Sequence, residues 1–395
     1  MAAAVENHIN KRAKLNAELA AFAAEHGDIE QRTEKWYDLM STTIGGSEIA
    51  AILGKDSYKT MRDVAKRKCE YSLGTVERVP MPNCWWGTLF EDIIQAYIEI
   101  DLGDSAHGTD ACICKYPGHR TSPDGYIVMG LKSDGKTIWK TTDPQSECHN
   151  IISVLLEFKC PVSRKPTHLI PTQYRPQILS GLALSPMAKL GLFVDAVFYK
   201  CTYEQLGCSP EYDSKYHKKK LTNNELPLAW GVIAVYANAS PGLENFFEDA
   251  GELDNDDFQR IMSDIDVKNY TVRKYEPELV GGRGTAPPSM EKIRADVPKD
   301  KCLISIIPWK LFHCTYAMLK PKKNYMEEIL PKINELHELV QRALATDDPF
   351  GYIDSGALDD MIDNNAFACV EELKFSRLDF QSDTEYETYL ETGKF

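Results

Sequence analysis

Glu157 and Lys159 stand two residues apart in Leu155-Leu156-Glu157-Phe158-Lys159-Cys160-Pro161, and the apolar run before them predicts a buried strand from Ile151 to Cys160. Side chains alternate faces along a strand, so the carboxylate and the ammonium share one wall while Leu156 and Phe158 pack behind. An unpaired charge on a buried wall loses on the order of several kcal/mol of hydration, so the pair implies a salt bridge or a bound metal. The bland alternative is a solvated face with a cross-strand ion pair. Asp124, in Ser122-Pro123-Asp124-Gly125, offers a second carboxylate from the end of a neighbouring strand. Two acids and one ammonium are the groups that metal-assisted phosphodiester cleavage needs. That reaction builds negative charge on the attacked phosphate and on the leaving oxygen, and a two-ion Mg²⁺ site stabilises both while lowering the pKa of a bound water.

Three further elements must position these groups. Trp85-Trp86-Gly87-Thr88-Leu89-Phe90-Glu91 opens a segment in which Phe90, Ile93, Ile94, Tyr97 and Ile98 recur at helical spacing, with Glu91 in its first turn. Tyr174-Arg175-Pro176-Gln177 leads into a second helix, and Ser47 precedes a third, Glu48 to Leu53, where it can cap the helix, bond a phosphate oxygen, or do both. Hard Mg²⁺ takes oxygen ligands and keeps several waters, so two carboxylates plus the main-chain carbonyl of Phe158 are sufficient. Lys159 is placed to orient the nucleophile and to offset transition-state charge, and Glu91 to act through metal-bound water.

Ile44-Gly45-Gly46-Ser47-Glu48-Ile49-Ala50, the Gly87 to Glu91 helix, Ser122 to Gly125, Leu156 to Pro161 and the Tyr174 to Gln177 pair occur in one order. In that order they resemble the lambda-exonuclease-like, or YqaJ-type viral recombinase, branch of the PD-(D/E)xK nucleases, over roughly residues 36–198. The resemblance implies an α/β fold with a restriction-endonuclease-like core, a mixed central sheet flanked by helices. It implies Asp124 and Glu157 as metal ligands, Lys159 as the catalytic lysine, Glu91 as the assisting acid and Gln177 with Tyr174 as the polar pair beside the site. The cofactor would be Mg²⁺, two ions, with Mn²⁺ able to substitute. The implied activity is 5′–3′ exonuclease action on duplex DNA ends in viral recombination or genome processing. Endonuclease action on DNA or RNA and a catalytically silent nucleic-acid-binding protein are the alternatives. By resemblance alone the partners are a single-strand-annealing protein and further copies of the chain in a ring-shaped trimer. One position departs from the pattern: the arginine that grips a terminal phosphate in such enzymes is here Met40, leaving Arg32, Lys35 or Arg120 to substitute, each otherwise an ordinary surface cation.

The formal charge of −14 over 395 residues suits an enzyme of nucleic acids only once it is mapped. Residues 343–395 carry 13 acids against 3 bases and residues 241–266 carry 9 against 1, leaving the rest at +4. Lys66-Arg67-Lys68, Lys215 to Lys220, Lys320 to Lys323 and above all Arg164-Lys165, directly after the Glu157 strand, are the expected backbone contacts. Trp85 and Trp86 could stack on an unpaired base or pack in the core. Eleven cysteines at scattered spacing fit neither a disulfide framework nor a zinc site, which points to a reducing intracellular compartment, the host cytoplasm or nucleus for a viral protein. No apolar run approaches the ~20 residues of a membrane span.

Four regions follow: a helical segment at 1–35, the nuclease core at 36–240, an α+β extension at 241–345 and an acidic tail at 346–395. Short strands are expected near Ala111 to Cys114, Tyr126 to Gly130, Gly191 to Phe198 and Trp230 to Tyr236, with Lys132 to Asn150 as an exposed connection. In the extension, Cys302 to Ile307 reads as an added strand and Asn324 to Leu344 as a helix that tolerates Pro331 near its start.

Overall fold

The computed structural model describes residues 2–27, 29, 33–76, 82–108, 112–132, 138–141, 150–161, 169–201, 203, 206, 227–238, 270–275, 278–279 and 289–358. Along the chain run α1 (Ala2–His26), α2 (Glu34–Thr42), β1 (Ile44–Gly45), a 3₁₀ turn (Gly46–Glu48), α3 (Ile49–Ile52), α4 (Met61–Leu73) and α5 (Pro82–Leu102). Then come β2 (Ile113–Tyr116), β3 (His119–Thr121), β4 (Gly125–Leu131), β5 (Ile138–Trp139), β6 (Asn150–Lys159), α6 (Arg175–Leu184), β7 (Leu190–Lys200) and β8 (Ala229–Asn238). The last elements are β9 (Tyr270–Lys274), β10 (Glu278–Leu279), α7 (Met290–Ala295), β11 (Lys301–Leu319), α8 (Tyr325–Leu344) and α9 (Pro349–Tyr352).

The central sheet is mixed, in the order β10-β8-β11-β7-β6-β4-β5, with β9 also on β8. β4 and β6 are antiparallel, β6 and β7 parallel. This is the mixed sheet with flanking helices expected of a PD-(D/E)xK core. The added strand expected at Cys302 to Ile307 is far longer: β11 continues through Pro308-Trp309-Lys310 to Leu319 and lies between β8 and β7, hydrogen-bonded to both. Within the expected exposed connection, Ile138 and Trp139 form a short strand on β4, because they pair with Leu131 and Gly130.

Strand alternation sorts the two cores. Leu156, Phe158, Leu192, Val194 and Trp309 pack with Phe90, Ile93, Ile94 and Ile98 of α5 on one face, so the helical stripe read from the sequence is the buried one. Leu155 and Phe193 face the other way, onto Ile178 and Leu182 of α6 and the α8 stripe Ile329, Ile333, Leu336 and Val340. A three-stranded sheet, β1-β3-β2, stands apart and brings the Gly45-Gly46 segment alongside Arg120. α4 begins at a reciprocal Thr60–Asp63 capping box and ends at Gly74, whose φ of 68° is the left-handed conformation that glycine adopts freely. α8 holds Pro331 in its second turn.

Candidate active site

Asp124 sits immediately before β4, where its backbone N–H donates to Leu156 O at 3.2 Å. Its carboxylate accepts from the backbone N–H of Phe158. Glu157 is 1% exposed and accepts from the Lys159 ammonium. The two side chains share a wall, as alternation requires, while the Phe158 ring packs in the opposite core, so the backbone of Phe158 is what meets the site. Burial pushes the Glu157 carboxyl up, with the charge of Lys159 pulling it back and that of Glu91 adding to the rise. Burial works against the Lys159 ammonium, but Glu157 and Asp124 outweigh it and hold the group protonated.

These groups line one cleft of about 230 Å³ with Trp36, Gly46, Ser47, Glu91, Arg120, Thr121, Ser122 and Gln177. Six separate stretches of chain therefore converge on one place. Tyr174 lies one layer below: the Lys159 Nζ stands 5.1 Å from its ring centroid, and the ring stacks on Phe193 at 5.6 Å. Ser47 is exposed in the cleft and is not the helix cap: the cap position of α3 is Glu48, whose Oε2 instead takes the Gly45 N–H at 2.6 Å. Arg164 and Lys165, like Arg32 and Lys215 to Lys220, lie outside the described residues.

Two expectations need correction. Arg120 is no surface cation: it is 6% exposed, its Nη2 contacts the sulfur of Met40, and its guanidinium lies 5.9 Å from the Trp36 ring. It thus reaches the very position where the motif lacks its arginine, whereas Lys35 is exposed and absent from the cleft lining. Gly45 makes this possible, since a Cβ there would come within 2.6 Å of Arg120 Nη1. Lys68 is not a solvent-facing DNA contact either. It is fully buried, with Nζ 2.8 Å from Glu48 Oε2 and 3.0 Å from Met40 O. Its neighbours Lys66 and Arg67 pair with Asp354 and Glu70. Burial lowers the Lys68 pKa despite the opposing pull of Glu48, while the Glu48 carboxyl, which burial alone would raise, is held below its ordinary value by Lys68 and Arg120.

Trp36, Thr121 and the Glu48–Lys68 pair escaped sequence reasoning as parts of the site. Thr121 was open to it, since it directly precedes Ser122-Pro123-Asp124; the partnership of Glu48 with Lys68, 20 residues on, was not.

The cleft's donor set is oxygen: the carboxylates of Asp124, Glu157 and Glu91, serine and threonine hydroxyls and the Phe158 backbone, with no thiol or imidazole among the described residues of its lining. Among the described residues no three of His, Cys, Asp and Glu cluster tightly enough to cage an ion alone. An oxygen set of this kind fits a hard divalent cation that keeps several waters and takes one or two carboxylates.

Residues 35–188 match the YqaJ-like viral recombinase domain. More particularly, the chain belongs to a family that includes a protein of African swine fever virus. In the Badajoz strain that protein is 30% identical over 317 residues, 78% of this chain and 84% of its own length. Its counterpart in a Malawi tick isolate of the virus gives 30% over 322 residues, 78% and 86%. Among solved structures, the alkaline exonuclease LHK-Exo from Laribacter hongkongensis matches at 18% identity over 42% of this chain and 74% of that one, with a TM-score of 0.30. No helix among the described residues is long and apolar enough to cross a membrane.

Proposed function

We propose that this protein is a Mg²⁺-dependent deoxyribonuclease that degrades duplex DNA 5′–3′ from an end. The observation that carries the reading is the meeting of Asp124, Glu157, Lys159, Glu91 and Gln177 in one polar cleft. Asp124, Glu157 and the Phe158 carbonyl would hold the ions, with Glu91 acting through water, and Mn²⁺ would serve in place of Mg²⁺. Bound there, the ions supply a lowered water pKa and charge stabilisation at the phosphate. Lys159, held cationic by its two acidic neighbours, orients the attacking oxygen and offsets the charge that develops on the phosphate. Gln177 offers an amide to the same oxygen, and Tyr174 fixes Lys159 from below. Arg120 and Ser47 grip the terminal phosphate, and Arg164 and Lys165 follow the backbone of the duplex.

In the cell this activity belongs to viral recombination or genome processing, in the host cytoplasm or nucleus. A single-strand-annealing partner and a ring of three chains enclosing the duplex complete the proposal. The test is to digest end-labelled linear duplex, closed circular DNA and single-stranded RNA side by side with Mg²⁺, with EDTA and with Glu157→Ala. Loss of the linear duplex alone, abolished by EDTA and by the variant, supports the proposal. Cutting of the circle or the RNA would make it an endonuclease, and no digestion a silent binding protein.

A further inference from the structure

Glu48 and Lys68 have no part in the chemistry above, yet they form a buried charged pair directly behind Arg120. Three groups crowd a single oxygen, Glu48 Oε2: the Lys68 ammonium at 2.8 Å, the Gly45 N–H at 2.6 Å and Arg120 Nη2 at 3.7 Å. Lys68 holds the closest ionic place and Arg120 is kept at arm's length. The arginine is left poorly satisfied. Beyond that long approach to Glu48, its Nη2 donates to the sulfur of Met40, a weak acceptor, and its Nε is buried with no hydrogen-bond partner among the described residues. Ser122, also in the cleft lining, has a buried Oγ in the same condition.

A guanidinium prefers a two-pronged pair with a carboxylate, and Glu48 is near enough to give one if Lys68 were not in the way. Two cations share one carboxylate here, so the guanidinium keeps donor capacity that an anion entering from the cleft can use. We propose that Lys68 is a positioning residue: by engaging Glu48 it prevents that carboxylate from capturing Arg120 and keeps the guanidinium available for a phosphate monoester at the DNA end. The inference rests on the proposed grip of Arg120 on the terminal phosphate and adds what makes that grip possible.

The experiment compares cleavage of linear duplexes bearing a 5′-phosphate or a 5′-hydroxyl by the wild-type chain, Arg120→Ala, Lys68→Met and the double variant Lys68→Met/Glu48→Gln, each checked for its melting temperature. The wild type should prefer the phosphorylated end by about tenfold or more, a ratio typical of one charged contact. Lys68→Met should lose that preference through a raised KM on phosphorylated ends, matching Arg120→Ala. The double variant should regain it, because the neutral amide then at position 48 no longer competes for the arginine. A merely structural role would lower cleavage of both ends equally and would be worsened by the second substitution, and that result overturns the inference. So does a Lys68→Met enzyme with wild-type preference while Arg120→Ala has lost it. If Lys68→Met does not fold, the double variant, which removes both charges, decides: a retained preference supports the inference and a lost one refutes it. Equal cleavage of the two ends by the wild type and by Arg120→Ala would instead show that the phosphate grip itself is wrong.

Discussion

The carboxylate of Asp124 is oriented by the backbone N–H of Phe158, the residue between Glu157 and Lys159. One acid of the site is thus held by the strand that carries the other, and the β4–β6 register, in which Gly125 faces Leu156, sets their spacing.

Asp124→Asn keeps an oxygen that can accept the Phe158 N–H but removes the negative charge. It should lower Mg²⁺-dependent cleavage by about 10³-fold, the equivalent of several kcal/mol of lost metal and transition-state stabilisation. Stability should stay within about 0.5 kcal/mol. Asp124→Ala should be equally inactive and less stable by about 1–3 kcal/mol, since it strands a buried donor. Steady-state cleavage with urea unfolding of both variants checks this, and a fully active Asn variant would remove Asp124 from the site.

Glu157 is almost wholly buried and Lys159 is its cation, about a quarter exposed. Lys159→Met leaves a buried carboxylate unpaired and should destabilise the fold by about 3–5 kcal/mol, an upper range given the partial exposure of Lys159. Glu157→Gln added to Lys159→Met should recover most of that loss while activity stays abolished. Urea midpoints of wild type, single and double variants would reveal the coupling, and additive losses would show that the two charges do not support each other.

How far the fold was legible follows from the range of each interaction. The strand around Glu157 and the α5 stripe could be read because periodicity is local: alternation put Glu157 and Lys159 on one wall, and 3.6-residue spacing put Phe90, Ile94 and Ile98 in the core. β11 was underestimated because Pro308 looks like a strand end, whereas here the strand runs through it. Lys68 and Arg120 were misjudged because their burial depends on Glu48 and Met40, partners brought near only when β1 pairs with β3 and α4 packs on α2. Charge type is written in the sequence; who neutralises it is a tertiary fact.

The same logic makes the α5 core a control on the position of Glu91. Phe90 is fully buried, stacked on Phe198 at 4.1 Å and edge-on to Trp309 at 6.0 Å. Phe90→Ala should cost about 3–5 kcal/mol and Phe90→Leu under about 1.5 kcal/mol. Because Glu91 is the next residue, even the stable Leu variant should lose some activity if α5 shifts against the sheet. Thermal unfolding with cleavage rates of both variants tests this, and an Ala variant as stable as wild type would contradict the packing.

His119 gives the fold an acid-sensitive point. The ring is fully buried, its Nδ1 bonds to Ile44 O at 2.9 Å, and its Nε2 has no partner among the described residues. Burial lowers its pKa from 6.5 to about 4, aided by the adjacent Arg120 charge and opposed by the Ile44 carbonyl and Glu48. The folded protein therefore keeps the ring neutral where the unfolded chain already binds a proton. Stability from this group is fully present above about pH 6.5 and is lost as the pH falls toward about 4, in total on the order of 3 kcal/mol. Since His119 pairs with Ile44 in the β1–β3 ladder, the loosening would begin beside the Gly45-Gly46 wall of the cleft. His119→Gln should be less stable than wild type at about pH 7.5 and should narrow that gap at about pH 5. Urea midpoints of the two proteins at both pH values decide the matter: parallel losses on acidification would exonerate His119.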